Sequence, residues 1–143
     1  MIIMPGNASQ TRAEIIRKFL PTSPYVGHLG IQLIDMQPDV ATLTLPFTDS
    51  LITIGTTMHG GAIASLIDTA AMVAAWSDDT VPENLRGTTV SLAVTYLAPA
   101  EHEDIQATAR VLQRGRNMVF LDVEVKSISG KSIARGLVTY KLG

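Results

Sequence analysis

With 143 residues, the chain is long enough to enclose one hydrophobic core, so we predict a single domain over residues 1–143. Its lack of cysteine excludes disulfides, thiolate metal sites and a cysteine nucleophile, and its formal net charge of −2 argues against a nucleic-acid partner. We find neither a secretory signal nor an apolar run long enough to span a membrane, so we expect a cytoplasmic protein without a membrane partner.

The first predicted element is a short amphipathic helix over about residues 11–20. Thr11 and Glu14 have the spacing of a capping box, and the apolar residues that follow lie on one side. Pro21 and Pro24 are expected to end this helix, because proline cannot continue the hydrogen-bond pattern.

Strand patterns occupy most of the remaining chain. Apolar runs and alternation of apolar with polar residues predict strands over residues 31–36, 40–47, 88–97, 105–112, 118–126 and 132–141. Between the second and third strands, residues 62 to about 77 are apolar on all sides and predict one long, surrounded helix. Strands joined by tight turns favour antiparallel pairing. We therefore predict an α+β fold in which about six antiparallel strands curl around one long central helix.

Gly60 and Gly61 stand just before this long helix. Such glycines leave backbone N–H groups at the positive end of the helix dipole, where no side chain blocks a ligand. This end can polarise a carbonyl oxygen and stabilise the oxyanion formed when the carbonyl is attacked. The pair is equally compatible with a tight strand-to-helix turn that has no ligand.

Asp68 is the single carboxylate of the predicted long helix. A carboxylate in apolar surroundings is either partnered or functional, although the face shared by Ser65, Asp68 and Thr69 could also simply meet water. Eight residues separate Gly60 from Asp68, which is about 12 Å along a helix axis, so one carbonyl cannot touch both groups of one chain. If the two groups act together, the glycine of one subunit must meet the carboxylate of another.

Three segments carry a family resemblance: "MHGGAIASLIDTA", "VSLAVTYLAPA" and "LQRGRNMVF". From about Leu45 to Gly143 the chain resembles the hot-dog-fold acyl-CoA thioesterases of the phenylacetate-degradation type. The resemblance implies a hot-dog fold, an acyl-CoA substrate without any further cofactor, and a homodimer that forms the active sites and assembles into a homotetramer. It also implies that the Gly60 N–H polarises the thioester oxygen, while Asp68 of the partner subunit acts as nucleophile or general base.

The resemblance assigns further catalytic positions and leaves two alternatives open. Thr89 matches a position that helps to place the water, whereas Thr53 stands where relatives commonly carry an asparagine. Threonine lacks the amide NH2 donor and carbonyl acceptor of asparagine. This departure favours the first alternative, a non-catalytic acyl-CoA-binding protein. The second alternative is a dehydratase or hydratase on the same fold, which would need His59 as a base. We instead expect His59 to order its turn through hydrogen bonds.

The remaining candidates concern coenzyme A. Its phosphates need local cations in an acidic protein, and paired guanidinium groups suit phosphate well. By resemblance, the coenzyme A contacts are Gly61, Tyr96, Leu97, Ala98, Pro99, Arg114, Gly115, Arg116 and Lys141. Solvated charges and a strand-ending proline are the alternative interpretations. Trp76 and Met72 are interpreted as core residues, and the three histidines lack metal-ligand spacing, so no metal is predicted.

Overall fold

An antiparallel sheet forms the larger part of the fold. The computed structural model describes residues 2–6 and 9–143. Its strands are β1 Ile2–Ile3, β2 Gln32–Gln37, β3 Val40–Leu45, β4 Ile52–Ile54, β5 Thr57–Met58, β6 Arg86–Tyr96, β7 Ile105–Arg114, β8 Met118–Ser127 and β9 Ser132–Leu142. Within the described residues, seven of them form one sheet in the order β1-β6-β9-β8-β7-β3-β2, and β4 pairs with β5 separately. Every pairing is antiparallel.

The long helix α3, Gly60–Ala75, packs against the inner face of this sheet. The alternation predicted for β8 is observed, because Val119, Leu121, Val123 and Val125 are buried while the residues between them face outward. Strand β9 comes close to the helix at Gly136, where an added Cβ would lie 2.6 Å from a methyl group of Ile67. These contacts confirm the predicted arrangement of an antiparallel sheet curled around a central helix.

Helix α3 begins and ends about two residues earlier than predicted. The glycines at its start adopt helical conformation instead of forming a preceding turn, because the His59 side chain caps the new end. Buried residues lie on nearly all sides of the helix, as its composition indicates.

The N-terminal segment contains two helices where the sequence predicted one. Helix α1, Arg12–Phe19, has the predicted capping box of Thr11 and Glu14. A 3₁₀ turn follows, and then α2, Pro24–Leu29. Pro24 was expected to end a helix, but it occupies the first position of α2, where its missing N–H costs nothing.

The described part of the chain contains no helix that is long and apolar enough to cross a membrane.

Candidate active site

Asp68 lies about two turns into α3, half-buried, with a partner from the sheet. The Thr89 hydroxyl on β6 donates a hydrogen bond of 2.6 Å to Asp68 Oδ1. Thr89 faces inward because it pairs in register with the buried Tyr140 of β9. A hydroxyl-to-carboxylate bond of this length is charge-assisted and fixes the carboxylate orientation. The Asp68 carboxylate is therefore held in one orientation by Thr89, next to apolar residues.

A cavity of about 330 Å³ opens beside this pair. Asp68, Thr69, Thr88 and Thr89 provide polar groups, and the apolar part comes from β1, α1, α2 and α3. Tyr140 also lines the cavity.

The Tyr140 hydroxyl accepts a hydrogen bond of 3.0 Å from the Trp76 indole N–H. Burial, assisted by the charge of Asp68, raises the pKa of Tyr140 to about 12, although the bond from Trp76 acts in the opposite direction. Tyr140 is thus neutral at physiological pH, and its wall of the cavity carries no charge.

The start of α3 presents a free backbone donor. The His59 Nδ1 accepts the Gly61 N–H at 2.7 Å, and the His59 carbonyl accepts the N–H groups of Ala62 and Ile63. Among the described residues, the Gly60 N–H has no such partner. The His59 contacts are the turn-ordering hydrogen bonds expected from the sequence, and they leave one amide at the positive end of the helix available to a ligand.

A second cavity, of about 410 Å³, contains Gly60. Thr53 and the stretch from Tyr96 to Pro99 line this cavity, as the family resemblance implied for a common site. The Tyr96 hydroxyl donates a hydrogen bond of 2.6 Å to the Gly60 carbonyl and so ties the end of β6 to the start of α3.

The candidate catalytic residues therefore line two separate cavities of one chain, here called half-sites. Asp68 and Thr89 line one cavity, while Gly60 and Thr53 line the other. The first and ninth residues of a straight helix are separated by about 12 Å along its axis. A single carbonyl group cannot reach both within one chain.

The two arginines predicted to contact phosphate have different surroundings in the structure. The Arg114 guanidinium contacts Asp39 at 2.8 Å, Asp78 at 3.3 Å and the Ala75 carbonyl at 2.9 Å. Arg114 thus neutralises two carboxylates and binds the C-terminal end of α3, where cations are favoured. These contacts occupy its donors within the chain, and its contact with a coenzyme A phosphate stays a prediction.

The neighbouring candidates remain accessible. Arg116 is exposed and, together with Arg86, lines a cavity of about 630 Å³. The Gly115 N–H closes the β7–β8 turn on the Met118 carbonyl. Lys141 is half-buried on β9, opposite Thr88.

Sequence reasoning did not include two features of the site. Met72 was interpreted as core, yet it is half-buried and lines the Asp68 cavity. Tyr140 has no local motif, although its place in the alternation of β9 marks it as inward-facing. Within the described residues, no group of three or more histidines or carboxylates could hold a metal ion.

Comparison with known proteins gives consistent matches. Residues 55–134 match the thioesterase superfamily. Acyl-coenzyme A thioesterase 13 from Homo sapiens is 29% identical over 138 residues, covering 94% of this chain and 96% of that protein. Medium/long-chain acyl-CoA thioesterase YigI from Escherichia coli is 28% identical over 151 residues, covering 95% and 96%. The structure of the Escherichia coli PaaI protein, from the phenylacetic acid degradation operon, superposes with a TM-score of 0.71 at 26% identity, covering 80% and 85%. This similarity confirms the predicted hot-dog fold.

Proposed function

This chain belongs to the thioesterase superfamily, and we propose that it is an acyl-CoA thioesterase that hydrolyses its substrate to coenzyme A and a carboxylic acid. Relatives that span nearly the whole chain carry the name acyl-CoA thioesterase. The observation that carries the proposal is the carboxylate of Asp68, held by Thr89 beside an apolar cavity. The free N–H of Gly60 supplies the second group that thioester hydrolysis needs.

A homodimer would bring the two half-sites together. Strand β1 pairs with β6 only at Arg86 and Gly87, so among the described residues the rest of this edge has no neighbouring strand. On the inner face of β6, Leu92 and Tyr96 are 40% and 50% exposed. A long unpaired edge with uncovered apolar residues is suited to a second copy. Antiparallel pairing about a two-fold axis then places Gly60 of the partner subunit near Asp68 and gives two equivalent sites.

In such a site, the thioester carbonyl oxygen accepts the N–H of Gly60 of the partner subunit. Asp68 then acts in one of two ways. Its free oxygen attacks the carbonyl carbon, expels the coenzyme A thiolate and leaves a mixed anhydride that water hydrolyses. Alternatively, it takes a proton from a water molecule that attacks the same carbon, and the C–S bond then breaks to release the carboxylic acid and the coenzyme A thiolate, which takes up the proton. In both cases the bond from Thr89 holds one carboxylate oxygen and aims the other.

The coenzyme A part has a place in the same arrangement. The pantetheine arm lies along the stretch from Tyr96 to Pro99, and the exposed Arg116 pairs with a phosphate. Gly61 and Lys141 stay candidate contacts, and the cytoplasmic location stays a prediction. We also propose that dimers pair into a tetramer through the outer sheet face, where Phe120 and Leu137 are 41% and 58% exposed. Light scattering on the purified protein tests that assembly.

The decisive test is thiol release from a panel of acyl-CoA substrates, with wild type beside Asp68→Asn. The variant keeps the side-chain shape but loses the basic oxygen, so kcat should fall at least about a hundredfold. Asp35→Asn, at an exposed position of β2, is the matched control and should retain wild-type kcat. Near-normal kcat in Asp68→Asn would remove Asp68 from the mechanism.

Thr53 supports one second candidate, an acyl-CoA-binding protein without turnover. It lies in the Gly60 cavity and offers one hydroxyl where the family resemblance implies an amide. Acyl-CoA binding measured by calorimetry, without thiol release on any substrate, would favour this candidate over the thioesterase.

A further inference from the structure

The Asp68 cavity extends along α3 away from the carboxylate. Met72 lies one helical turn beyond Asp68, on the same face of the helix. Phe19 at the end of α1 and the buried Val26 of α2 line the same cavity. Both belong to the N-terminal segment, outside the residues that match the superfamily. The N-terminal helices α1 and α2 therefore build part of the apolar wall, opposite Met72 of α3.

One hydrogen bond fixes this wall against α3. The Ser65 hydroxyl donates to the Gly61 carbonyl at 2.8 Å, so the bond of 2.9 Å between Ser65 and Tyr25 has the Tyr25 hydroxyl as its donor. Tyr25, also part of the cavity lining, thereby ties α2 to α3. Phe19 packs against the hydrophobic core from the other helix. The cavity thus has defined walls that can discriminate between ligands of different length.

On the basis of the proposed thioesterase function, we propose that this cavity binds the acyl chain of the substrate and that Met72 and Phe19 limit the chain length. A group of water-like size takes up about 30 Å³. The cavity volume of about 330 Å³ then accommodates roughly ten non-hydrogen atoms. The substrate class is accordingly an apolar acyl group of medium length, with its carboxyl end at Asp68.

The two ends of the substrate would then be recognised by different subunits. The acyl chain lies against α1, α2 and α3 of the subunit that supplies Asp68. The pantetheine arm lies in the Gly60 cavity of the partner subunit. Changes to the acyl wall should therefore alter chain-length preference while leaving contacts to coenzyme A intact.

The test uses a homologous series of S-alkyl coenzyme A thioethers, which cannot be hydrolysed, with affinities measured by calorimetry. For wild type, affinity should rise about fourfold per methylene while the chain is being buried, and then level off near ten carbons. Met72→Ala removes three non-hydrogen atoms and should move this break about three carbons towards longer chains. Met72→Phe should move the break towards shorter chains, and Phe19→Leu, which also removes three non-hydrogen atoms, should move it towards longer chains.

Leu33→Ala is the matched control, since it truncates a partly buried core residue on the edge strand β2 away from the cavity. It should leave the break in place even if it lowers stability. If the Met72 variants and this control show the same chain-length dependence as wild type, the acyl-cavity proposal is refuted.

Hydrolysis of the matching acyl-CoA series, followed in parallel, separates this proposal from the proposed function. A shifted break in binding without hydrolysis by wild type would overturn the thioesterase proposal and support the acyl cavity. Hydrolysis with an unshifted break would do the reverse. Failure of every thioether to bind would overturn the acyl cavity, and absence of hydrolysis as well would overturn both proposals.

Discussion

Mixing two inactive variants tests whether each site is shared between subunits. Gly60→Pro removes the N–H that is proposed to polarise the thioester, and Asp68→Ala removes the carboxylate. Proline suits the first position of a helix. His59, which precedes it, has φ −61° and ψ 133°, an extended conformation that proline permits in its predecessor. The Gly60→Pro variant should therefore fold.

Gly60→Ala is the matched control for the proline variant. Any Cβ at position 60 would lie 3.2 Å from the Tyr96 ring, so both substitutions crowd the same neighbour. Only proline also removes the N–H. Loss of one oxyanion donor costs about a hundredfold to a thousandfold in kcat, and we expect that difference between Gly60→Pro and Gly60→Ala.

The recovered activity follows from the geometry of the two half-sites. Random association of equal amounts gives heterodimers for about half of all dimers, and each heterodimer has one intact site and one doubly defective site. The mixture should therefore regain about a quarter of wild-type thiol release per subunit. A site built from one chain predicts no recovery, because every chain carries one lesion.

The assay mixes the variants under conditions that allow exchange and follows thiol release over time. Differently tagged variants, recovered together by one tag, establish that heterodimers have formed. Persistent inactivity in the presence of such heterodimers would refute the shared site and the dimer geometry behind it.

Four other residues lead to further predictions. Thr89→Val removes the hydrogen bond to Asp68. A hydrogen bond to a charged group contributes about 1.5–3 kcal/mol, so kcat should fall about tenfold to a hundredfold, while Thr89→Ser should stay near wild type. Equal kcat in both variants would contradict the positioning role of Thr89. The pKa of Tyr140 is raised from its ordinary value of 10.0 to about 12. Its stabilising contribution is therefore complete below about pH 10 and is lost as the pH rises through about 12, at a cost of about 3 kcal/mol in the free energy of unfolding. Urea unfolding across this range should show that loss in wild type and not in Tyr140→Phe, and parallel curves would refute it. Arg114→Leu should lower the free energy of unfolding by about 2 kcal/mol, since two carboxylates and a helix end lose their cation, whereas Arg116→Leu should leave denaturation unchanged. Instead, Arg116→Leu should raise KM for acyl-CoA more than for the acyl-pantetheine, and equal effects on both substrates would count against its phosphate contact.

The elements predicted correctly are those whose signal lies within a short segment. Helix α3 has a long apolar run, and the strands β6 to β9 have apolar patterns, that extend over ten or more residues. Such patterns are independent of what packs against them. The capping box of Thr11 and Glu14 is also local, because both of its hydrogen bonds join residues three positions apart.

The candidate pair of Gly60 and Asp68 was likewise accessible from sequence. The rise per residue of an α-helix fixes the distance between them along the axis as soon as the helix is recognised. The family resemblance added their roles, and their common site across two subunits stays a prediction that the mixing experiment tests.

Contacts between distant segments were decided only by the tertiary structure. Thr89 reaches Asp68 from 21 residues away, and Arg114 meets Asp39 from 75 residues away. Nothing in the turn that contains Arg114 distinguishes a guanidinium bound to a helix end from one free for phosphate. The register of strands and helix makes that choice, since it determines which charges come within reach.

The same holds for the wall of the Asp68 cavity. Pro24 can end one helix or begin another, and the chain folds α2 back over α3, where Tyr25 hydrogen-bonds Ser65. Met72 thereby becomes part of a cavity wall although its apolar helix suggested core. Local sequence determined that α3 is apolar and carries one carboxylate, but only packing against the N-terminal helices determined which of its residues face an open space.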